Sequence, residues 1–245
     1  IHDIKGVLIR HEDYLISPDG FTIPFDSEKI HGISTALAEN QGTPLAEVLN
    51  KFHTALNEVE FVVGHNVSFD KSIIGCELLR TEMPNLLADF PAIDTKDDST
   101  NYCAIAGGRG GKFKLPTLTE LHKHLFGEGF GDAHNATADV EATTRCFFEL
   151  IRINNYTLEQ LDAEPDYISN FLDKNPDQIQ VIGLTHLNLK KESEKIKKRI
   201  DAKAGKKSVD VNANLELLKD AKFSHLHNHS QFSILQSTIT VKGLV

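Results

Sequence analysis

The residues of this chain best suited to chemistry fall in two short stretches. They are Gly64-His65-Asn66-Val67-Ser68-Phe69-Asp70 and His134-Asn135-Ala136-Thr137-Ala138-Asp139. Each places an aspartate at or near the start of a helix, and the second sets a histidine five residues ahead of its aspartate. Carboxylates that are distant in sequence but able to meet in space are what a pair of hard cations requires. A histidine beside such cations can take a proton from water. Asp70, Asp139 and His134 together therefore suit metal-dependent phosphodiester hydrolysis.

The elements that must position these residues read as follows. Gly6-Val7-Leu8-Ile9 and Tyr14-Leu15-Ile16 predict the strands of a hairpin. Thr43-Pro44 predicts a helix start, Thr as cap and Pro in the first turn, with Leu45, Val48, Leu49, Phe52 and Leu56 following at helical spacing. Phe61-Val62-Val63 is a short apolar run that fits a buried central strand. A helix from about Ser68 to Arg80 follows it, and Ala92-Ile93-Asp94 reads as another short strand. Gly107 to Gly111 is glycine-rich but lacks the trailing Lys-Ser/Thr of a phosphate loop. Leu118–Leu125 and Ala136 to about Asn154 read as helices. This alternation predicts an α/β sheet with helices on both faces. Asp70 then lies where ligands gather in such sheets, beyond the carboxyl end of a strand.

Composition sets outer limits. The chain has 245 residues, is 40% apolar, and carries a formal net charge of -9. It can bury a real core. The acidic balance argues against broad electrostatic wrapping of duplex DNA, which needs many lysines and arginines. It is compatible with gripping a short single-stranded end through metal ions and a few contacts. No apolar run approaches the ~20 residues of a membrane span, so no membrane partner is expected. Cys76, Cys103 and Cys146 show no paired spacing, which fits reduced thiols and a cytoplasmic setting. Lys190–Lys207 is strongly basic, a composition shift that suggests a connecting arm between a body at residues 1–154 and whatever follows. Residues 155–222 are expected to bury little, with Thr157-Leu158-Glu159-Gln160 as a possible capping box.

With both stretches in hand, residues 1 to about 154 resemble the DEDDh 3′–5′ exonucleases, the superfamily of the proofreading subunit of bacterial DNA polymerase III. Gly-His-Asn-x-x-Phe-Asp, with Asn66, Phe69 and Asp70, matches the second motif of that family. His-x-Ala-x-x-Asp, with His134 and Asp139, matches the third. Ile30-His31-Gly32-Ile33 matches an element near the pocket for the 3′-terminal nucleotide. Ala92-Ile93-Asp94-Thr95 and Leu118-Thr119-Glu120-Leu121 resemble its connecting segments. The resemblance implies a ribonuclease-H-like mixed sheet with flanking helices and two Mg²⁺ or Mn²⁺ ions held in part by Asp70 and Asp139. It implies His134 as general base, and Asn66, Phe69, His31 and Asp26 as substrate contacts. The substrate it implies is a single-stranded DNA 3′ end.

The first motif of that family, Asp-x-Glu on an opening strand, has no counterpart before these elements. Asp162-Ala163-Glu164 has the spacing but follows the third motif. Either the chain begins downstream of that motif, or the strand is missing. A chain beginning at Ile1 is accordingly expected to hold metal weakly and to cleave poorly. A non-catalytic module that binds a polymerase or DNA end, and a 3′–5′ exoribonuclease, are the alternative readings.

The tail resembles a different family. Phe223-Ser224-His225-Leu226-His227-Asn228-His229-Ser230 is similar to the opening of a polymerase-and-histidinol-phosphatase (PHP) domain, as in the alpha subunit of bacterial DNA polymerase III. This implies that residues 223–245 form the first strand of a truncated domain, after a mostly helical linker at 155–222. His227 and His229, on one face of that strand, would be ligands of a completed Zn²⁺ or Mn²⁺ site. The polymerase, in cis or as a separate subunit, and other replisome components are the partners implied.

Overall fold

The computed structural model describes residues 1–131, 135–185 and 187–203. Residues Ile1–Arg199 form one compact unit. The second, Ile200–Val245, is described only through residue 203. The predicted PHP strand, with His227 and His229, lies outside the described residues, as does His134.

The elements run in chain order as α1 (Phe25–His31), α2 (Thr35–Gln41), α3 (Leu45–Leu56), β1 (Val62–Gly64), α4 (Val67–Arg80) and β2 (Ala92–Asp94). Then come α5 (Thr95–Asp98), α6 (Thr100–Cys103), α7 (Leu118–Phe126), α8 (Ala136–Arg152), α9 (Tyr167–Lys174) and α10 (Leu189–Lys203). β1 and β2 pair in parallel, Val62 with Ala92, Val63 with Ile93 and Gly64 with Asp94. The helix α4 that joins them packs on both strands, the βαβ arrangement that parallel pairing demands. The architecture is α/β, largely helical with a small parallel sheet.

The expected mixed sheet is not what the described residues form: their one sheet has these two strands. The predicted hairpin between Gly6–Ile9 and Tyr14–Ile16 is also corrected. Asp3 accepts hydrogen bonds from the backbone N–H groups of Lys5 and Val7, and Gly6 turns the chain at φ 85°. This side-chain-built turn folds residues 7–9 back onto 1–3, bridging His2 to Leu8. Ile16 instead bridges Thr43. Thr43 pairs through its backbone with Leu15 and Ser17, and α3 starts one residue later than expected, with Pro44 at the cap position and no side-chain cap bond.

The long helix α8 is the centre of the core. Its Cys146, Phe147, Leu150 and Ile151 pack with Ile93 of β2 and with Leu121 and Leu125 of α7. Phe61, just ahead of β1, meets the Phe147 ring edge-on at 6.2 Å. The same core takes in Tyr156, Leu161 and Phe171, so the expectation that residues beyond 154 bury little fails for this stretch. Thr157 and Gln160 make the reciprocal bonds of a capping box, but around a turn and not a helix. Phe171 is 1% exposed and stacks on Phe148 at 5.9 Å. Phe171→Leu should therefore lower the stability of the whole unit by about 1–2 kcal/mol, read as a shifted single transition in urea.

Charged groups clamp the next segment. Glu149, 1% exposed, pairs with Arg152 and accepts from the Ile179 N–H. Arg145 donates to the Ile179 carbonyl and lies 3.7 Å over the Phe126 ring. His122 donates from Nδ1 to the Glu128 carbonyl (2.8 Å), so its Nε2 accepts from Arg145 (3.2 Å). Burial, then the Arg145 charge, holds His122 below the ordinary histidine range. Burial likewise pushes His2, whose ring meets Phe148, down to about 4. An unfolded chain binds protons at both sites more readily than the folded one, so these groups make stability rise with pH. Going down from pH 6.5 toward 4 should cost on the order of 1–2 kcal/mol from these groups after allowing for solvent. Urea titrations across that window test this, with His2→Gln and His122→Gln flattening the slope.

Among the thiols, Cys76 on α4 is exposed while Cys103 and Cys146 are buried and reduced. No helix among the described residues is long and apolar enough to cross a membrane.

Candidate active site

The carboxyl ends of β1 and β2 converge on one aspartate that the motif reading passed over. Asp94 ends β2 and caps α5, accepting from the Lys96 N–H at 3.0 Å. Its two oxygens also accept the Asn66 N–H at 2.8 Å and the Val67 N–H at 2.9 Å. One carboxylate thus satisfies free N–H groups at the starts of two helices, where the helix dipoles favour negative charge. The available signal was its position: in the parallel register Asp94 lies beside Gly64, at the strand ends where sites form.

Asn66 stands between β1 and α4 at φ 75°, a left-handed conformation that asparagine tolerates better than most residues. Lys96 Nζ donates to its Oδ1 at 2.9 Å. Because lysine only donates, the amide is oriented: its oxygen is occupied and its NH₂ is left to donate to a ligand. His65 stabilises the same junction. Its Nε2 donates to the Pro116 carbonyl at 3.1 Å and its Nδ1 lies 3.0 Å from the Thr95 hydroxyl. Burial keeps His65 below the usual histidine range.

Asp70 lies in the first turn of α4. The residue is exposed overall, yet crowding of its carboxyl and then the charge of Asp94 raise its affinity for a proton. A carboxyl so placed gains from an added cation. Phe69 beside it is 60% exposed, with Ile73 one turn on at 51%, which leaves an open apolar face. Asp139 lies in the first turn of α8, capped by the Asn135 side chain on the Thr137 and Ala138 N–H groups. The Thr137 hydroxyl donates to Asp13, tying the 10–16 segment to this helix start. Both α4 and α8 pack on β1, so the two predicted metal ligands ride on helices attached to one strand.

His31 and Asp26 lie on α1, which the Ser193 side of α10 contacts. Asp26 is almost fully exposed and pairs loosely with Lys29 at 3.5 Å, a position that the helix N-terminus favours by itself. His31 is more constrained: its Nδ1 accepts the Ile33 N–H at 3.0 Å.

The acidic and amide groups of this α/β unit stand beyond its parallel strand ends, where ligands gather in such sheets. The RNase T family model, described as an exonuclease, matches residues 4–147, and the chain belongs to this exonuclease family. No curated protein matches it. The chain is thus a nuclease-family hydrolase, and exonuclease domains of this family generally use divalent metal ions. The carboxylates of Asp70 and Asp139 are donors of the chemical kind that such ions take. Asp70 is a crowded carboxyl next to a second negative charge, but no group of three or more His, Cys, Asp or Glu gathers to hold a metal among the described residues.

Proposed function

We propose that this domain is a metal-dependent 3′–5′ exodeoxyribonuclease that proofreads for a replicative DNA polymerase. The observation that carries the reading is the strand-end cluster: Asp70, raised by crowding and by Asp94, beside an amide donor on Asn66 and the open ring of Phe69. Asp70 and Asp139 would hold part of the divalent-ion site, with Mg²⁺ or Mn²⁺ as the ions. When bound, such ions supply Lewis acidity toward the phosphoryl group and lower the pKa of water. Asn66 Nδ2 would donate to the terminal nucleotide, Phe69 would stack on it, and His31 would contact it, with Asp26 at the margin. His134 would be the base that takes the proton of the attacking water.

The tail resemblance supports attachment to a polymerase in cis, with His227 and His229 contributing to a PHP metal site that binds Zn²⁺ or Mn²⁺. The test is to incubate the intact gene product with 5′-labelled single-stranded DNA and RNA, with Mg²⁺, Mn²⁺ or EDTA. The expected result is a ladder of DNA shortened stepwise from the 3′ end, absent in EDTA. Preferential RNA shortening would establish the exoribonuclease alternative. Binding of the end without shortening in any metal would establish a non-catalytic module.

A further inference from the structure

The basic segment read from sequence as an arm docks instead against the turn that carries His31. Ser193 of α10 is 3% exposed. Its hydroxyl donates to the Gly32 carbonyl at 2.7 Å and accepts the Ser34 N–H at 3.0 Å. Two backbone groups of one turn are therefore satisfied by a single side chain 159–161 residues away. The approach is close. Gly32 ends α1 at φ 77°, and a Cβ there would come within 3.0 Å of the Lys190 backbone nitrogen. Ile196 is buried at 5%, and Lys197 pairs with Glu28 on α1.

Between the two clamped groups lies Ile33, whose N–H donates to His31 Nδ1. With Nδ1 accepting from Ile33, the donor left on the ring is the Nε2–H, so His31 offers one aimed donor. The aim depends on the backbone of Gly32, Ile33 and Ser34, two of which Ser193 holds. Without that hydroxyl the Gly32 carbonyl and the Ser34 N–H, both in buried residues, lose their partner, and the turn must move to recover one.

We infer that Ser193 is a positioning residue for His31: α10 completes the pocket for the terminal nucleotide by holding the turn that aims the His31 Nε2–H donor. This rests on the substrate contact of His31 in the proposed function. The experiment uses the intact gene product and has two arms. In the first, ¹⁵N spectra of the wild-type imidazoles should show His31 as the Nε2–H tautomer, with both tautomers averaging in Ser193→Ala. A wild-type His31 that already averages its tautomers overturns the inference whether or not the variant folds.

In the second arm, steady-state cleavage of a single-stranded oligonucleotide is measured for Ser193→Ala, His31→Ala and the double variant. Ile151→Val serves as a control for lost stability in the core. Ser193→Ala should raise KM about five- to tenfold with kcat within twofold, while the control leaves KM unchanged. In the His31→Ala background, Ser193→Ala should add nothing. Additive effects of the two substitutions overturn the clamp alone. An unchanged KM in His31→Ala overturns the inference through its premise and removes His31 from the site. Loss of cleavage in the unmutated protein would instead mark failure of the exonuclease reading, and the tautomer arm would still decide the clamp.

Discussion

Asp139→Ala should slow phosphodiester cleavage by the intact gene product about 10³-fold or more, and Asp70→Ala should do the same. Removing one preorganised electrostatic group at a reacting phosphoryl centre costs on this scale. The two aspartates lie in the first turns of different helices, α8 and α4, that share one strand as their support. Either loss leaves the remaining carboxylate to face the substrate phosphate with less cationic charge to balance it. His134→Ala should also slow the reaction, by about 10²–10⁴ for a lost general base, with metal affinity retained. Single-turnover rates on a labelled 3′ end, together with isothermal titration of Mn²⁺, separate the two behaviours. Wild-type rates in both aspartate variants would exclude the site.

The largest expected effect on stability comes from Asp94→Ala. Its carboxylate accepts from the N–H groups of Asn66, Val67 and Lys96, and all three lose their acceptor at once. Hydrogen bonds to a charged acceptor are each worth about 1.5–3 kcal/mol. Water can reach part of this junction, so a loss of about 3 kcal/mol is expected. Asp94→Asn should recover only part, since an amide supplies one accepting oxygen where the carboxylate has two. Urea unfolding followed by far-UV circular dichroism measures both. A change below 0.5 kcal/mol, roughly the level of an ordinary surface substitution, would show that the two helix starts do not depend on Asp94.

The helices α3, α4, α7 and α8 were legible because their signals are local, whereas the shorter α1, α2, α5, α6 and α9 were not read. Leu45–Leu56 repeats its apolar residues at helical spacing, and α7 carries a complete capping box between Thr117 and Glu120. β1 and β2 were legible as short apolar runs, bounded by Gly64 and by Asp94. Pairing was not, because a strand partner is chosen by distant sequence. The turn chemistry of Asp3 and Gly6 drew residues 7–9 back onto 1–3 and left Ile16 to bridge Thr43. At the candidate site, Asp70 and Asp139 stood out by type and spacing, and Asn66 and Phe69 only through the family resemblance. The part Asp94 plays did not, because its donors come from residues 28 and 27 positions away as well as from Lys96. Ser193 gave even less warning. It is a small polar residue inside a lysine-rich helix, and only its burial against Gly32 and Ser34 reveals what it does.

That long-range clamp also constrains how the protein is made. A ribosome releases the His31 turn early, but its hydroxyl partner follows 159 residues after Ser34. At about 5–20 residues per second, that interval is roughly 8–30 s. Asn66, Asp70 and Asp139 are all made within that interval, while the turn at residues 31–34 still lacks its brace. The turn that carries His31 is therefore finished later than the motifs at Asn66, Asp70 and Asp139. Synthesis itself thus delays the bracing of residues 31–34 until α10 has emerged.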